Sequence, residues 1–308
     1  MADERSKNTI KKRVISGLII FALIIVFGLV GSIYLGVVLC VLSCVGYVEF
    51  TKATSVREKK DKTCFLEITG VVTIVLYYVA IMIKDSILPW SETVTKWAGE
   101  TVGAFNNYTT VILFIIIVGF LFMLFAYIGK FPRYTYNQVS DAFFGIIYVG
   151  VMLSFIYFLR QLPGGHGMFM YALIFICSNG CDVMAYLFGM LFGKHKLSPI
   201  LSPKKSIEGA VGGTLSASAA GVVTGVIYCM VYDKSWYYAL MFGVICFAGA
   251  IVSQCGDLTA SAIKRNSEIK DYGNSIPGHG GVLDRFDSVI FVAPVIYSLA
   301  IILLRIKG

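Results

Sequence analysis

Charged residues are scarce in this chain. Asp, Glu, Lys and Arg together make up 14% of its 308 residues, whereas a soluble globular domain carries about a quarter. Hydrophobic residues reach 57%, and the mean hydropathy is +0.78. This balance excludes an ordinary soluble domain and predicts an integral membrane protein.

Cysteines are present, but their spacing lacks both a disulfide framework and a CxxC zinc motif. All eight lie within or at the ends of apolar segments. The pairs Cys40/Cys44 and Cys177/Cys181 are four residues apart and so share a helical face, which would also suit a metal. We favour packing of small side chains between membrane helices.

The N-terminal region lacks a small-residue cleavage site. Its basic cluster Lys11-Lys12-Arg13 precedes a long apolar run, as in a signal peptide. Because no cleavage site follows, we expect a first helix that is retained.

Long apolar runs are abundant, and nine of them approach twenty residues, the length that crosses a bilayer. The predicted helices lie at 14–31, 33–50, 64–83, 109–129, 139–159, 168–192, 209–231, 236–256 and 288–305. No internal repeat or flexible linker is visible. We therefore predict an all-α polytopic fold forming one membrane domain over residues 1–308, with N-terminal helices to about 135 and catalytic helices and motifs from about 136.

The distribution of Lys and Arg predicts the orientation. If the N-terminus lies inside, twenty of the 26 basic residues fall in inside segments. This bias favours a cytoplasmic N-terminus and cytoplasmic polar blocks. The net charge of +8 arises from short basic clusters between apolar spans, so we expect no nucleic-acid partner.

The densest polar block follows helix eight. If that helix continues past the apolar run, Asp257, Ser261, Lys264 and Arg265 lie at i, i+4, i+7 and i+8, on one face. A carboxylate, a hydroxyl and two cations directed at one volume suit a metal-bound polyphosphate. A solvated helix end with an ordinary charged face is the alternative.

A glycine-rich turn leads into the last helix. The segment Pro277-Gly278-His279-Gly280-Gly281 is not regular helix, and Gly280 and Gly281 let the backbone approach a ligand closely. We expect His279 to contact phosphate or to position the loop, because a phosphate nucleophile is already ionised and needs no base. Asp284 and Asp287 lie one turn apart and could both reach a metal, with Arg285 between them; capping of the helix is the alternative for Asp287.

A second polar block separates helices six and seven. It runs through Lys194–Pro199 and Ser202–Gly209 and contributes Ser202, Lys204 and Lys205. Its cations and hydroxyls could cradle a triphosphate. A topology determinant is the alternative, although it would explain only the lysines.

One ionisable residue falls inside a predicted span. Asp182 lies near the middle of helix six, and an acidic group at that depth is a functional candidate by default. Glu49, Glu67 and Asp141 occur near predicted helix ends, where placement costs less, and we leave them out of the site.

Together these motifs resemble the signature of the phosphatidate cytidylyltransferases, also called CDP-diacylglycerol synthases. The resemblance runs from Ser253 to Asp287, and Phe192 to Pro199 resembles a second family block, so that roughly the last 130 residues are involved. The chain departs from the family by having Ser206-Ile207 where Thr-Trp is common, and Val183-Met184 where Thr-Gly is usual. These departures concern the nucleotide contacts more than the reaction.

The resemblance implies a homodimeric helical membrane enzyme with a cytoplasm-facing polar funnel and a magnesium-dependent site, with a second, monovalent cation left open. The compact length favours a bacterial plasma membrane. By analogy Asp257 and Asp284 are the foremost metal ligands, with Asp287 beside them.

The expected reaction converts CTP and phosphatidate to CDP-diacylglycerol and pyrophosphate. The expected catalytic residues are Asp257, Asp284, Lys264, Arg265 and Arg285. The expected substrate-binding residues are Ser202, Lys204, Lys205, Ser261, His279, Gly280, Gly281 and Asp182. Two alternatives stay open: a CTP-dependent lipid kinase, which would transfer the γ-phosphoryl group, and a transporter for an anionic solute.

Overall fold

The protein is described here from a computed structural model that covers residues 26–54, 56–57, 64–83, 107–275 and 280–306. Within these ranges, eight helical segments are long and apolar enough to cross a membrane. They correspond to predicted helices two to nine, and they confirm the all-α polytopic membrane fold. Most of the first predicted helix, 14–31, lies outside the described residues.

The helices group into two compact units, residues 32–154 and residues 1–31 with 155–308. The first unit contains α1 (Ser32–Ala53), α2 (Phe65–Met82), α3 (Asn107–Gly129) and α4 (Tyr136–Gly145). A π-helical segment, Ile146–Val151, joins α4 to α5 (Met152–Arg160), so these three form one continuous span.

Two pairs of hydroxyl side chains meet inside the first unit. The Ser43 and Tyr78 hydroxyls lie 2.8 Å apart, and those of Tyr77 and Ser154 lie 2.7 Å apart. A buried hydroxyl without a partner is costly, so these pairs fix which faces of the helices meet.

Glu67 has a structural explanation. Its carboxylate accepts hydrogen bonds from Arg57 at 3.3 Å and from the Thr51 hydroxyl at 3.2 Å. It therefore ties the first turn of α2 to the chain that leaves α1.

The second unit carries the sequence motifs. Its helices are α6 (His166–Phe175), a π-helical segment (Ile176–Gly180), α7 (Cys181–Phe192), α8 (Ile207–Tyr232), α9 (Tyr237–Asn266) and α10 (Leu283–Ile306). The segments from α6 to α7 form one continuous span.

Glycines bring α8 and α9 into close contact. A Cβ atom at Gly221 would lie 2.6 Å from Cys246 Sγ, and one at Gly225 would lie 2.6 Å from Ala239 Cα. Neither position has room for a side chain, so small residues let the backbones approach as they do in other membrane helix pairs.

The polar block between α7 and α8 forms a short antiparallel hairpin where the sequence indicated only a loop. Its strands are β1 (Lys196–Ser198) and β2 (Ser202–Ser206). Ser206 then caps α8, because its hydroxyl accepts the Gly209 N–H at 3.2 Å. Serine and threonine both serve as N-caps, so the serine found here retains the capping function.

Two helix ends differ from the prediction. α9 continues to Asn266, beyond the predicted end at 256, as the one-face arrangement of Asp257 to Arg265 required. α10 begins at Leu283 and not at 288. Asp287 therefore lies inside the helix, where its Oδ1 accepts the Ser288 N–H at 2.8 Å, so it does not cap the helix.

Candidate active site

Three elements of the second unit meet at one lysine. Lys205 on β2 places its Nζ 2.6 Å from Asp257 Oδ2 on α9 and 4.0 Å from Asp182 Oδ1 on α7. The cation thus lies between two carboxylates that are 75 residues apart in sequence. The intramembrane acid Asp182 and the second polar block, both predicted to bind substrate, lie at the same place as Asp257.

Electrostatics hold Lys205 in its charged form. Burial by itself lowers the pKa of Lys205, while the carboxylates of Asp257, Asp182 and Asp287 raise it by more, so its pKa lies above the usual lysine range. The charge of Asp287 on α10 therefore acts at the same lysine. Carboxylates from α7 and α9 therefore lie against Lys205 near the end of the hairpin, and the α10 carboxylate acts on it electrostatically.

A second lysine pairs with the acids of α10. Lys264 Nζ lies 2.9 Å from Asp284 Oδ1 and 4.0 Å from Asp287 Oδ2. The Lys264 side chain is 13% exposed and that of Asp284 is 4% exposed. This pair is more deeply buried than Lys205 and Asp257, which are 27% and 25% exposed.

Asp284 also organises the loop before its own helix. Its Oδ2 accepts the Tyr272 N–H at 2.8 Å and the Gly281 N–H at 3.0 Å. Gly280 adopts φ of +84°, and a Cβ atom there would lie 3.1 Å from Asp284 Oδ2. The backbone at Gly280 and Gly281 thus approaches the Asp284 carboxylate, and its approach to a ligand stays a prediction.

Tyr272 is a site residue that the sequence analysis missed. Its buried ring lies 5.3 Å from Lys264 Nζ, and its hydroxyl donates to the Ala260 carbonyl at 3.3 Å. A lysine next to an aromatic face gains a cation–π contact, so Tyr272 helps to hold Lys264 against α10. A tyrosine inside a polar loop was the available signal.

A cavity of about 390 Å³ opens beside Lys205. It is lined by Asp182, Ala185, Tyr186, Gly189, Met190, Leu197, Lys204, Lys205, Ser206, Gly209, Ala210, Gln254 and Asp257. Most of this surface is apolar, and the charged groups meet at one part of it. Such a combination suits a ligand that has both an ionic and an apolar part.

Gln254 is a second residue that sequence reasoning left out of the site. Its Nε2 donates to the Ala210 carbonyl at 3.0 Å and to the Thr214 hydroxyl at 2.9 Å. Because it lies on α9 one turn before Asp257, it fixes that part of α9 against α8 at the cavity wall.

Glu208 fastens the base of the hairpin. Its carboxylate accepts the Lys194 N–H at 3.1 Å and the His195 N–H at 3.2 Å, and it lies 2.7 Å from His195 Nδ1. These bonds tie the first turn of α8 to the chain that enters β1. Glu208 thereby supports the strand that carries Lys205, without lining the cavity itself.

The remaining predicted residues lie less close to the paired charges. Ser202 begins β2, and Ser261 is half-buried on α9 one turn after Asp257. Arg265 is exposed and its Nη1 donates to the Ile269 carbonyl at 3.4 Å, while Arg285 is exposed on α10. His279 lies outside the described residues. Lys205 and Lys264 form the ion pairs of this site that are described above.

The donor set fits a hard divalent cation. Four carboxylates, of Asp182, Asp257, Asp284 and Asp287, share the two ammonium groups of Lys205 and Lys264 in ion pairs. Among the described residues, no three acidic, histidine or cysteine side chains form a ready-made metal cage. Mg²⁺ needs none, because it is commonly held by one or two carboxylates together with substrate phosphates and water.

Paired lysines and carboxylates beside a largely apolar cavity suit a membrane-embedded enzyme for phosphate-bearing substrates. Residues 11–303 match the Cytidylyltransferase family, and the chain belongs to that family.

Three similar proteins carry the same name. The chain is 32% identical over 187 residues to the phosphatidate cytidylyltransferase of Staphylococcus haemolyticus strain JCSC1435. The aligned region covers 61% of this chain and 68% of that protein. The proteins of the same name from Staphylococcus epidermidis strain RP62A and Staphylococcus aureus strain COL are 31% and 30% identical over the same shares. The predicted family is confirmed.

Proposed function

We propose that this protein transfers the cytidylyl group of CTP to phosphatidate, which yields CDP-diacylglycerol and pyrophosphate. The observation that carries the proposal is the convergence of Lys205, Asp257 and Asp182 at a largely apolar cavity within the membrane helices. Membership of the Cytidylyltransferase family and the shared name of the relatives support it.

The reaction joins two anions. A phosphate oxygen of phosphatidate attacks the α-phosphorus of CTP, the bond from that phosphorus to the β-phosphate oxygen breaks, and pyrophosphate leaves. The nucleophile is already ionised, so no base has to remove a proton. What the protein must supply is positioning and neutralisation of the repulsion between the phosphates.

The lysines of the site take this role. Lys205 and Lys204 line the cavity and are available to phosphate oxygens. Because carboxylates raise the pKa of Lys205, its ammonium group is charged at any physiological pH. Lys264 is held by Asp284 beside the loop that leads to α10, and we assign the exposed Arg265 and Arg285 to the leaving pyrophosphate.

We propose magnesium as the resident cofactor, with Asp257 as its foremost ligand and Asp284 and Asp287 as the further ones. When bound, Mg²⁺ would neutralise triphosphate charge. The Asp257 carboxylate is more exposed than that of Asp284. Asp257 has one close ion-pair partner, Lys205, whereas the buried Asp284 accepts from three donors, so Asp257 can take up a metal ion more readily. A monovalent cation as a second ion remains part of the proposal.

The excess of basic residues in alternate segments supports an active site that faces the cytoplasm, with the N-terminus on the same side. We also propose a homodimer in a bacterial plasma membrane.

The membrane location suits the lipid substrate. The acyl chains of phosphatidate can stay in the bilayer while its headgroup enters the cavity.

Labelled CTP tests the reaction. Purified protein in lipid–detergent micelles receives phosphatidate, MgCl₂ and CTP labelled at either the α- or the γ-phosphate. We expect α-label in the organic phase together with release of pyrophosphate. Label from the γ position in the lipid would instead identify a lipid kinase.

The Asp257→Asn variant is the matched control, because it keeps the shape of the side chain and removes its charge. It should insert normally but turn over slowly. If reconstituted vesicles accumulate an anionic solute and no CTP is consumed, the protein is a transporter and the proposal is wrong.

A further inference from the structure

A second, apolar groove lies between α8 and α9. Its volume is about 270 Å³. Four large apolar side chains line it, Val211 and Leu215 on α8 and Phe247 and Ile251 on α9. They are spaced four residues apart on each helix, so each helix contributes one continuous stripe.

The groove adjoins the cavity of the candidate active site. Ala210 and Gln254 line both spaces. The Gln254 amide donates to the Ala210 carbonyl and to the Thr214 hydroxyl, so the polar groups at this junction satisfy one another. From Gln254 to Phe247 the groove runs along seven residues of α9, about 10 Å at the helical rise.

Resting on the proposed function, we propose that this groove holds one acyl chain of the lipid substrate. A lipid with an anionic headgroup needs a charged site and an apolar path that meet, and Gln254 marks where they meet here. The charged residues Lys205 and Asp257 lie in the cavity on one side of this junction. The groove on the other side has mostly apolar walls and no charged residue, with Thr214 as its polar residue besides Gln254. The phosphate and the chain of one molecule can therefore occupy the two spaces together.

The groove selects among chains more than it adds affinity. Bilayer lipid is as apolar as the groove, so moving a chain between them gains little hydrophobic free energy. Selectivity among chains must therefore come from steric fit, because a filled groove rejects an additional group that does not fit. Acyl-chain length is therefore the property that the far end of the groove, formed by Leu215 and Phe247, should sense.

The test narrows that far end. Leu215→Trp and Phe247→Trp are made separately, one on each helix, so that poor folding of one variant leaves the other. Val223→Trp is the control, since Val223 is an exposed residue of α8 that does not line the groove. Activity is measured with CTP and either dioleoyl phosphatidate or dihexanoyl phosphatidate, whose chains are too short to reach the far end.

We expect each groove variant to lower kcat/KM for the dioleoyl lipid by about tenfold, while kcat/KM for the dihexanoyl lipid and the KM for CTP stay within about twofold. The control should leave the ratio of the two lipids unchanged.

Equal losses on both lipids, or no loss on either, would overturn the inference. A changed oligomeric state by size-exclusion chromatography without chain selectivity would assign the groove to a second copy of the chain, and would overturn it as well. Failure of the proposed function is recognised separately, because the wild-type protein would then transfer no α-label from CTP to either lipid.

Discussion

Lys205 and Asp257 form an ion pair with 2.6 Å between Nζ and Oδ2, and this pair joins the β2 strand to α9. Both side chains are about one quarter exposed, so substrate can reach them from the cavity. The pair links the two polar blocks of the sequence and gives the hairpin a fixed position at the cavity.

Replacing Lys205 tests the role of that charge. Lys205→Met keeps the length of the side chain and removes the ammonium group, so we expect kcat/KM for CTP to fall by roughly a hundredfold or more, as when an electrostatic donor is removed from other active sites. Lys205→Arg retains the charge and should recover part of the activity. Steady-state kinetics with both variants would show whether the charge contributes to catalysis. Equal activity of Lys205→Met and wild type would exclude Lys205 from the mechanism.

The raised pKa of Lys205 makes a prediction about pH. The folded-state pKa lies above the ordinary value of about 10.4, so the ion pairs contribute their full stability below that value and lose it as the pH rises through the folded-state pKa. The difference in Tm between wild type and Lys205→Met should therefore be constant from about pH 8 to pH 9, above the range in which the carboxyl groups around Lys205 titrate. Thermal unfolding in detergent measures it, and a difference that shrinks within this window would contradict the assignment.

Asp257 and Asp284 should respond differently to the same substitution. Asp257→Asn should lower kcat by orders of magnitude and lower Tm only modestly, because its ion pair with Lys205 is about one quarter exposed at the cavity. Asp284→Asn should lower kcat and also Tm, because it deprives the buried Lys264 of a partner at 2.9 Å, at a cost of about 3 kcal/mol. Near-normal turnover in Asp284→Asn would remove that residue from the mechanism.

Gly280 tests the loop before α10. Gly280→Ala places a methyl group at positive φ and 3.1 Å from Asp284 Oδ2, which should destabilise the loop by about 1 to 2 kcal/mol and raise the KM for CTP. Gly129→Ala is the matched control, because nothing lies within 4 Å of a Cβ atom there. An unchanged KM for CTP in Gly280→Ala would show that the loop geometry does not affect substrate binding.

Glu208 is predicted to position the hairpin. Glu208→Gln weakens three contacts to the chain that enters β1. We expect the KM for CTP to rise several-fold while kcat changes less, because the hairpin carrying Lys205 is displaced and the reacting groups are intact. His195→Ala keeps both backbone contacts of Glu208 and should have a smaller effect. If His195→Ala raised the KM for CTP more than Glu208→Gln did, the imidazole and not the backbone contacts of Glu208 would position the hairpin.

The membrane fold followed from composition and the length of the apolar runs, because a bilayer demands about twenty apolar residues in each helix. The ends of the helices did not. α9 extends to Asn266 and α10 starts at Leu283, since polar residues can continue a helix once it leaves the apolar layer. Hydropathy alone cannot locate such ends.

The sequence predicted part of the candidate active site. The spacing of Asp257 and Lys264 placed them on one helical face, but the sequence could not show that they pair with different partners. Asp257 meets Lys205, while Lys264 meets Asp284. Gln254 and Tyr272 lie inside the stretch that resembles the family signature, but an amide or a tyrosine in a polar stretch is common and acquires its role only from its neighbours.

By itself the sequence determined the class of protein, the family and the residues that carry charge near the membrane, because these depend on composition and on motifs local in the chain. Tertiary structure alone decided that Asp182, Lys205 and Asp257 share one place and that an apolar groove adjoins it. Ion pairs and cavities depend on distances of a few ångströms between helices far apart in sequence, and those distances are set by how the helices pack.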